Sequence, residues 1–227
     1  MLQLITPSLI INCLVALSLL TVAPVKAQDD QYRLGAGDLI RITVFEEQDL
    51  SFDDLAQKIN SDLVGKFSNI LSRSAPFIAK NNHRLAAVLD ESFLTEARAN
   101  EEEIYDLFES KSYSKAIKLI MEIADNTNKY INEKEPWKLD QDQAIIVSTT
   151  AINVFKNLCV LLHPVIPNIT LKMLSMLNVS AINNSSLSSK LLDTEILEFK
   201  PVLSRITHMD VKNFQREESE KEENAEE

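Results

Sequence analysis

From about residue 53 onward, apolar positions recur at helical rather than strand spacing. At about 100° per residue, Ile59, Leu63, Phe67 and Ile70 gather into one apolar stripe, which predicts a helix over residues 53–74 that Pro76 ends or kinks. A second, acidic helix over 94–111 turns Ile104, Leu107 and Phe108 inward, and a third over 112–132 places Ala116, Leu119, Ile120, Ile123 and Ala124 at core spacing. The stretch 141–162 is apolar on nearly all sides, as expected of a central helix. Pro164 and Pro167 end it, a short fifth helix covers 168–177, the Ser- and Asn-rich stretch 178–190 reads as a loop, and 198–206 as a last short helix. These elements make an all-α helix bundle with short connections.

The first fifty residues follow another pattern. Residues 9–22 form an apolar run broken by small polar positions, and Val25-Lys26-Ala27 offers a cleavage-like site, so 1–27 reads as a signal-peptide-like segment. No Lys or Arg precedes the run, and it is too short and interrupted for a membrane span. Leu39, Ile40, Ile42, Val44 and Phe45 then alternate as in a short strand after the turn at Gly35 and Gly37. Near residues 50–53 this pattern gives way to helical periodicity. The domain organisation expected is a signal-like segment at 1–27, a strand-like fragment at 28–51, a helical bundle at 52–209 and an acidic, disordered tail at 210–227.

Composition narrows the chemistry. A formal net charge of −11 argues against binding through many phosphate contacts, since proteins that bind this way are normally basic. Two cysteines, Cys13 and Cys159, build neither a disulfide framework nor a zinc site, and Cys159 reads as a core thiol. His83, His163 and His208 are scattered without ligand spacing, and no nucleophile–base constellation or phosphate-cradling glycine loop is present. No catalytic, cofactor or metal residues are expected.

Two features carry candidate binding chemistry. Gly65, Asn69 and Arg73, spaced i, i+4, i+8, form a polar line about 130° from the apolar stripe. Asn offers a donor and an acceptor together, and Arg a planar fork of donors, the groups that read the edges of unstacked bases. A helix-surface Asn–Arg pair is more commonly just solvated. Trp137 is the second feature. A lone Trp in a helical protein is more commonly core, but Pro136 fixes the backbone before it and Glu135 and Lys138 flank it, a setting in which an indole stays accessible.

Ordered pieces of the bundle resemble a known family. Asn60-Ser61-Asp62-Leu63-Val64-Gly65-Lys66, Asn69-Ile70-Leu71-Ser72-Arg73, Ala116-Ile117 to Ile120-Met121 and Ala124 come first. Asn128-Lys129-Tyr130, Glu133-Lys134-Glu135-Pro136-Trp137, Asn153-Val154-Phe155-Lys156 and His163-Pro164-Val165-Ile166-Pro167 follow. Their order across about residues 52–209 resembles the C-terminal anticodon-binding domain of methionyl-tRNA synthetases, of the class I synthetase type. The resemblance implies RNA-binding roles for Asn69, Arg73, Trp137 and Pro136, with the CAU anticodon loop of methionine tRNA as partner. Gly65 stands where family members often carry a further Asn, so that contact is absent from the side chain. Lys111-Ser112-Tyr113-Ser114-Lys115 only loosely resembles the class I lysine-serine signature loop and has no His-x-Gly-His counterpart.

The implied protein recognises tRNA in the cytoplasm without an aminoacylation site of its own. ATP and magnesium would belong to a separate catalytic domain, a possible partner, and no DNA is expected. Residues 32–46 resemble the opening of a polysaccharide export protein, which implies the alternative: an envelope protein exported to the periplasm through 1–27, meeting the membrane only there, with the bundle as passenger. A fusion without function is the blandest reading of the join.

Overall fold

A computed structural model describes residues 51–180, 182, 186–213 and 216. The signal-like segment, the strand-like fragment up to residue 50 and most of the acidic tail lie outside the described residues. Within them the chain is helical. No strand is present among the described residues, and one isolated antiparallel bridge joins Arg84 to Glu195.

The first helical stretch begins at α1 (Phe52–Lys58), whose N-cap Ser51 accepts the Asp54 N–H through its hydroxyl at 3.2 Å. It continues through π-helical turns over Ile59–Ser68 into α2 (Asn69–Ala79). The π turns, bonded i→i+5, hold more residues per turn than an α-helix. The expected stripe is therefore redrawn: Phe67 and Ile70 are fully buried, Ile59 and Leu63 only half-buried, and Asp62 turns inward. Asp62 is paired with Lys58 at 2.6 Å and Lys66 at 3.4 Å. Burial pushes its carboxyl up, but the two ammonium groups outweigh that and hold it below the ordinary carboxylate value. Of the two outcomes expected at Pro76, an end or a kink, the end does not occur: Pro76 lies inside α2, which continues to Ala79.

The expected helix over 94–111 is two helices, α3 (Glu91–Ala97) and α4 (Glu101–Glu109), separated by a turn at 98–100. Asp90 starts α3 by accepting the Phe93 N–H at 3.1 Å. Arg98 and Glu101 close the turn through paired hydrogen bonds of 2.8 and 3.1 Å. α5 (Tyr113–Lys134) packs against α4 and against the central α6 (Gln141–Leu162), followed by α7 (Pro167–Met176).

The core collects around α6, almost every side chain of which is buried. It is long and apolar enough to cross a membrane, yet here it is wrapped by the rest of the bundle. Phe155 stacks on Phe67 with ring centroids 4.9 Å apart, and Cys159 is a fully buried free thiol, raised well above its ordinary pKa by burial.

Beyond its exposed first turn, α6 also buries polar residues, and four of them, Thr149, Thr150, Asn153 and Lys156, pin the irregular parts of the chain. Thr149 and Thr150 accept the N–H groups of Ala86 and Asp90, each at 2.9 Å. Asn153 donates to the Leu191 carbonyl at 3.0 Å and accepts the Leu191 N–H at 2.7 Å. Lys156 Nζ donates to the carbonyls of Ser186 and Ser189. Backbone groups packed against a core helix must find partners, and this row supplies them.

The predicted helix at 198–206 does not form. That segment is irregular, and Asn60 holds its end by donating to the Ile206 carbonyl and accepting the Ile206 N–H, both at 2.8 Å. Helix resumes over 208–213, where Thr207 and Asp210 form a capping box.

Candidate nucleic-acid interface

Asn69 sits where the π-helical turns give way to α2, and Arg73 follows one turn later. Facing them across the bundle are Asn128 and Asn132, also one turn apart, on α5. Asn69 Nδ2 donates to Asn128 Oδ1 at 3.2 Å. Arg73 Nη1 donates to the backbone and side-chain oxygens of Asn128, both at 3.3 Å, and Nη2 to Asn132 Oδ1 at 2.6 Å. Burial alone holds the Arg73 guanidinium below its ordinary value, and it stays cationic at neutral pH. Lys66, on the same side, bridges to Asp125 of α5 at 2.8 Å.

The end of α5 positions the aromatic. Glu135 takes a left-handed conformation (φ 46°) and donates its N–H to the Ile131 carbonyl at 3.1 Å, closing the helix. Pro136 then opens a single 3₁₀ turn, Pro136–Lys138, braced by a 2.7 Å ion pair between Lys138 and Glu135. Pro136 is buried, so its contribution runs through the shape of this turn. Trp137 projects from it, 53% exposed, with the Arg73 guanidinium carbon 6.0 Å from the indole centroid.

Three of the four residues proposed from sequence thus converge: an amide, a guanidinium and an exposed indole on one surface, with Pro136 beneath. Gly65 stands apart. It lines a groove of about 430 Å³ with Asn60 and Arg205, and a Cβ there would come within 3.2 Å of the Asn60 carbonyl. Asn128 and Asn132 are candidates that the structure adds. Their i, i+4 spacing on a helix, repeating that of Asn69 and Arg73, is the signal that marks them.

Residues 90–203 match the family described as the anticodon-binding domain of tRNA ligases. The chain belongs to that family. Curated relatives carry the methionine specificity in their names. The chain is 39% identical over 173 residues to the methionine–tRNA ligase of Psychrobacter arcticus, covering 73% of this chain and 25% of that protein. It is 38% identical over 173 residues to that of Psychrobacter cryohalolentis, with the same coverage. The chain therefore spans about a quarter of the length of the curated relatives it matches.

Among solved structures, the free form of Mycobacterium tuberculosis methionyl-tRNA synthetase superposes with a TM-score of 0.64 at 23% identity, over 70% of this chain and 35% of that one. The same enzyme with methionyl-adenylate gives 0.61 at 22% identity, over 67% and 33%. These likenesses establish the all-α fold. The C-terminal part of the chain is an anticodon-binding domain of the methionyl-tRNA synthetase kind, and family membership implies tRNA binding. Nothing in these comparisons supports the exported-envelope alternative. The family match takes in Pro136 and Trp137 of the anticodon-binding domain and begins after Asn69 and Arg73.

Proposed function

We propose that this anticodon-binding domain recognises the CAU anticodon loop of methionine tRNA, with Trp137 as a stacking platform and Asn69 and Arg73 as readers of base edges. The observation that carries this reading is the exposed indole with a guanidinium 6.0 Å from its centre, beside an amide on the same face. Single-stranded loops are read by this combination of stacking and edge hydrogen bonds. A net charge of −11 favours readout through bases over grip on phosphates, so the logarithm of affinity should fall with the logarithm of salt at a slope of only about −1 to −2.

Acting on tRNA places the protein in the cytoplasm, with a separate catalytic domain as its partner and ATP and magnesium bound there. Replacing Trp137 by Ala tests the reading. Affinity for a CAU stem-loop should drop by about 1–3 kcal/mol, measured by calorimetry on a chain that unfolds at the wild-type temperature. Equal binding by both chains would refute it.

A further inference from the structure

Among the described residues Asn128 is the one side chain hydrogen-bonded to both readers, and its own orientation is forced. Nδ2 donates to the Lys66 carbonyl at 2.9 Å across the helix pair and to the Ala124 carbonyl at 3.0 Å within α5. Carbonyls only accept, so the amide cannot flip without breaking both bonds. Oδ1 is therefore fixed toward Asn69 and Arg73, where only donors fit.

We infer that Asn128 is a positioning residue that sets the hydrogen-bond polarity of the base-reading surface. The claim rests on the anticodon reading above. Facing Asn128 Oδ1, Asn69 must turn its NH2 inward and present Oδ1 outward; among the described residues that oxygen accepts only from the Ser72 hydroxyl, at 3.5 Å. Asn69 then reads as an acceptor, suited to an exocyclic amine or ring N–H of a base. Arg73 has Nη1 directed at both oxygens of Asn128 and one Nη2–H at Asn132. Among the described residues Nε–H meets no acceptor, so the Nε–Nη2 side stays open as a donor fork for a base with adjacent acceptors. The surface thus offers one acceptor and one donor fork beside the indole. A rotated Asn128 would invert the first and release the second.

The experiment compares affinities of the full chain for CAU stem-loops and single-base variants. Asn128→Ala frees both readers, and the preference for the best loop over the worst should shrink by about tenfold. Asn128→Asp keeps acceptors facing Asn69 and Arg73, and should keep the ranking even where it lowers stability. In an Asn69→Ala/Arg73→Ala background, Asn128→Ala should change the ranking by less than about twofold, because its effect runs through those residues. An unchanged ranking in folded Asn128→Ala, an Asp variant as indiscriminate as the Ala variant, or an equal further loss in the double background would overturn the proposal.

If Asn128→Ala does not fold, the Asn69 side-chain amide in the free wild type decides by NMR. Slow exchange of its protons supports the inward NH2, and exchange as fast as that of an exposed amide overturns it. That readout needs no RNA. Failure of the wild type to bind any stem-loop would sink the anticodon reading while leaving the positioning of Asn69 separately tested.

Discussion

Two rows of polar side chains run through this molecule, one on α6 and one between α2 and α5. On α6, Thr149, Thr150, Asn153 and Lys156 are each almost wholly buried, and their hydrogen bonds go mainly to the backbone of this same chain. Between α2 and α5, Asn69, Arg73, Asn128 and Asn132 satisfy one another on their inner side and keep capacity on the outer one, next to a half-exposed indole. Residue type does not separate the two rows, since both contain asparagine and a cation. What separates them is whether the hydrogen bonds turn inward to the fold or leave capacity at the surface. A closed row holds structure, and a row left half open is where a ligand can bind.

The comparison breaks first at the closed row. Asn153→Ala leaves the Leu191 N–H and carbonyl without their partner in a half-buried setting and should destabilise the bundle by about 1–3 kcal/mol. A urea titration measures it, and the ranking of anticodon loops by the folded protein should not move. A loss of under about 0.5 kcal/mol would mean the row does not hold the loop.

The next effect is on pH. Burial and nearby Arg98 push the Lys156 ammonium down to about 8, with Glu101 opposing. The folded pKa lies below the unfolded one, so the unfolded chain binds more protons in between. Stability should therefore rise by roughly 1–3 kcal/mol as pH increases from about 8 to the ordinary lysine value. Burial raises the Tyr130 phenol to about 12, which acts in the opposite sense above pH 10. Lys156→Met should remove the first rise and leave the second decline, as read from urea midpoints across pH.

At the open row the effect moves from stability to specificity. Arg73→Ala should cost about 1–2 kcal/mol of preference among anticodon variants, measured by competition between stem-loops. It should also shift unfolding by less than the Asn153 change does. The smallest effect belongs to neither row: Lys190→Ala breaks the exposed 2.7 Å pair with Glu91 and should change stability by no more than about 0.5 kcal/mol in a thermal melt.

Legibility in the sequence follows the same division. The central helix is read to its ends because its signals are local: Asp140 caps it by accepting the Gln143 N–H at 2.9 Å, and proline follows it. The break at 98–100 carries no glycine or proline, and it is an Arg98–Glu101 pair that closes it. The segment 198–206 has apolar residues at plausible spacing, but its end is held at Ile206 by Asn60, 146 positions earlier in the chain. No local pattern holds that information. Of the site, Asn69, Arg73 and Trp137 were legible as residue types in a pattern, whereas the Asn128 network that orients two of them required the pairing of α2 with α5.

Trp137 is the only tryptophan in the chain, so its emission reports the proposed stack directly. The full chain titrated with a CAU stem-loop should show saturable quenching, and a loop with one anticodon base replaced should reach the same quenching only at about tenfold or higher concentration. Unchanged emission at concentrations where calorimetry shows the CAU loop bound, or identical curves for all loops, would contradict the account.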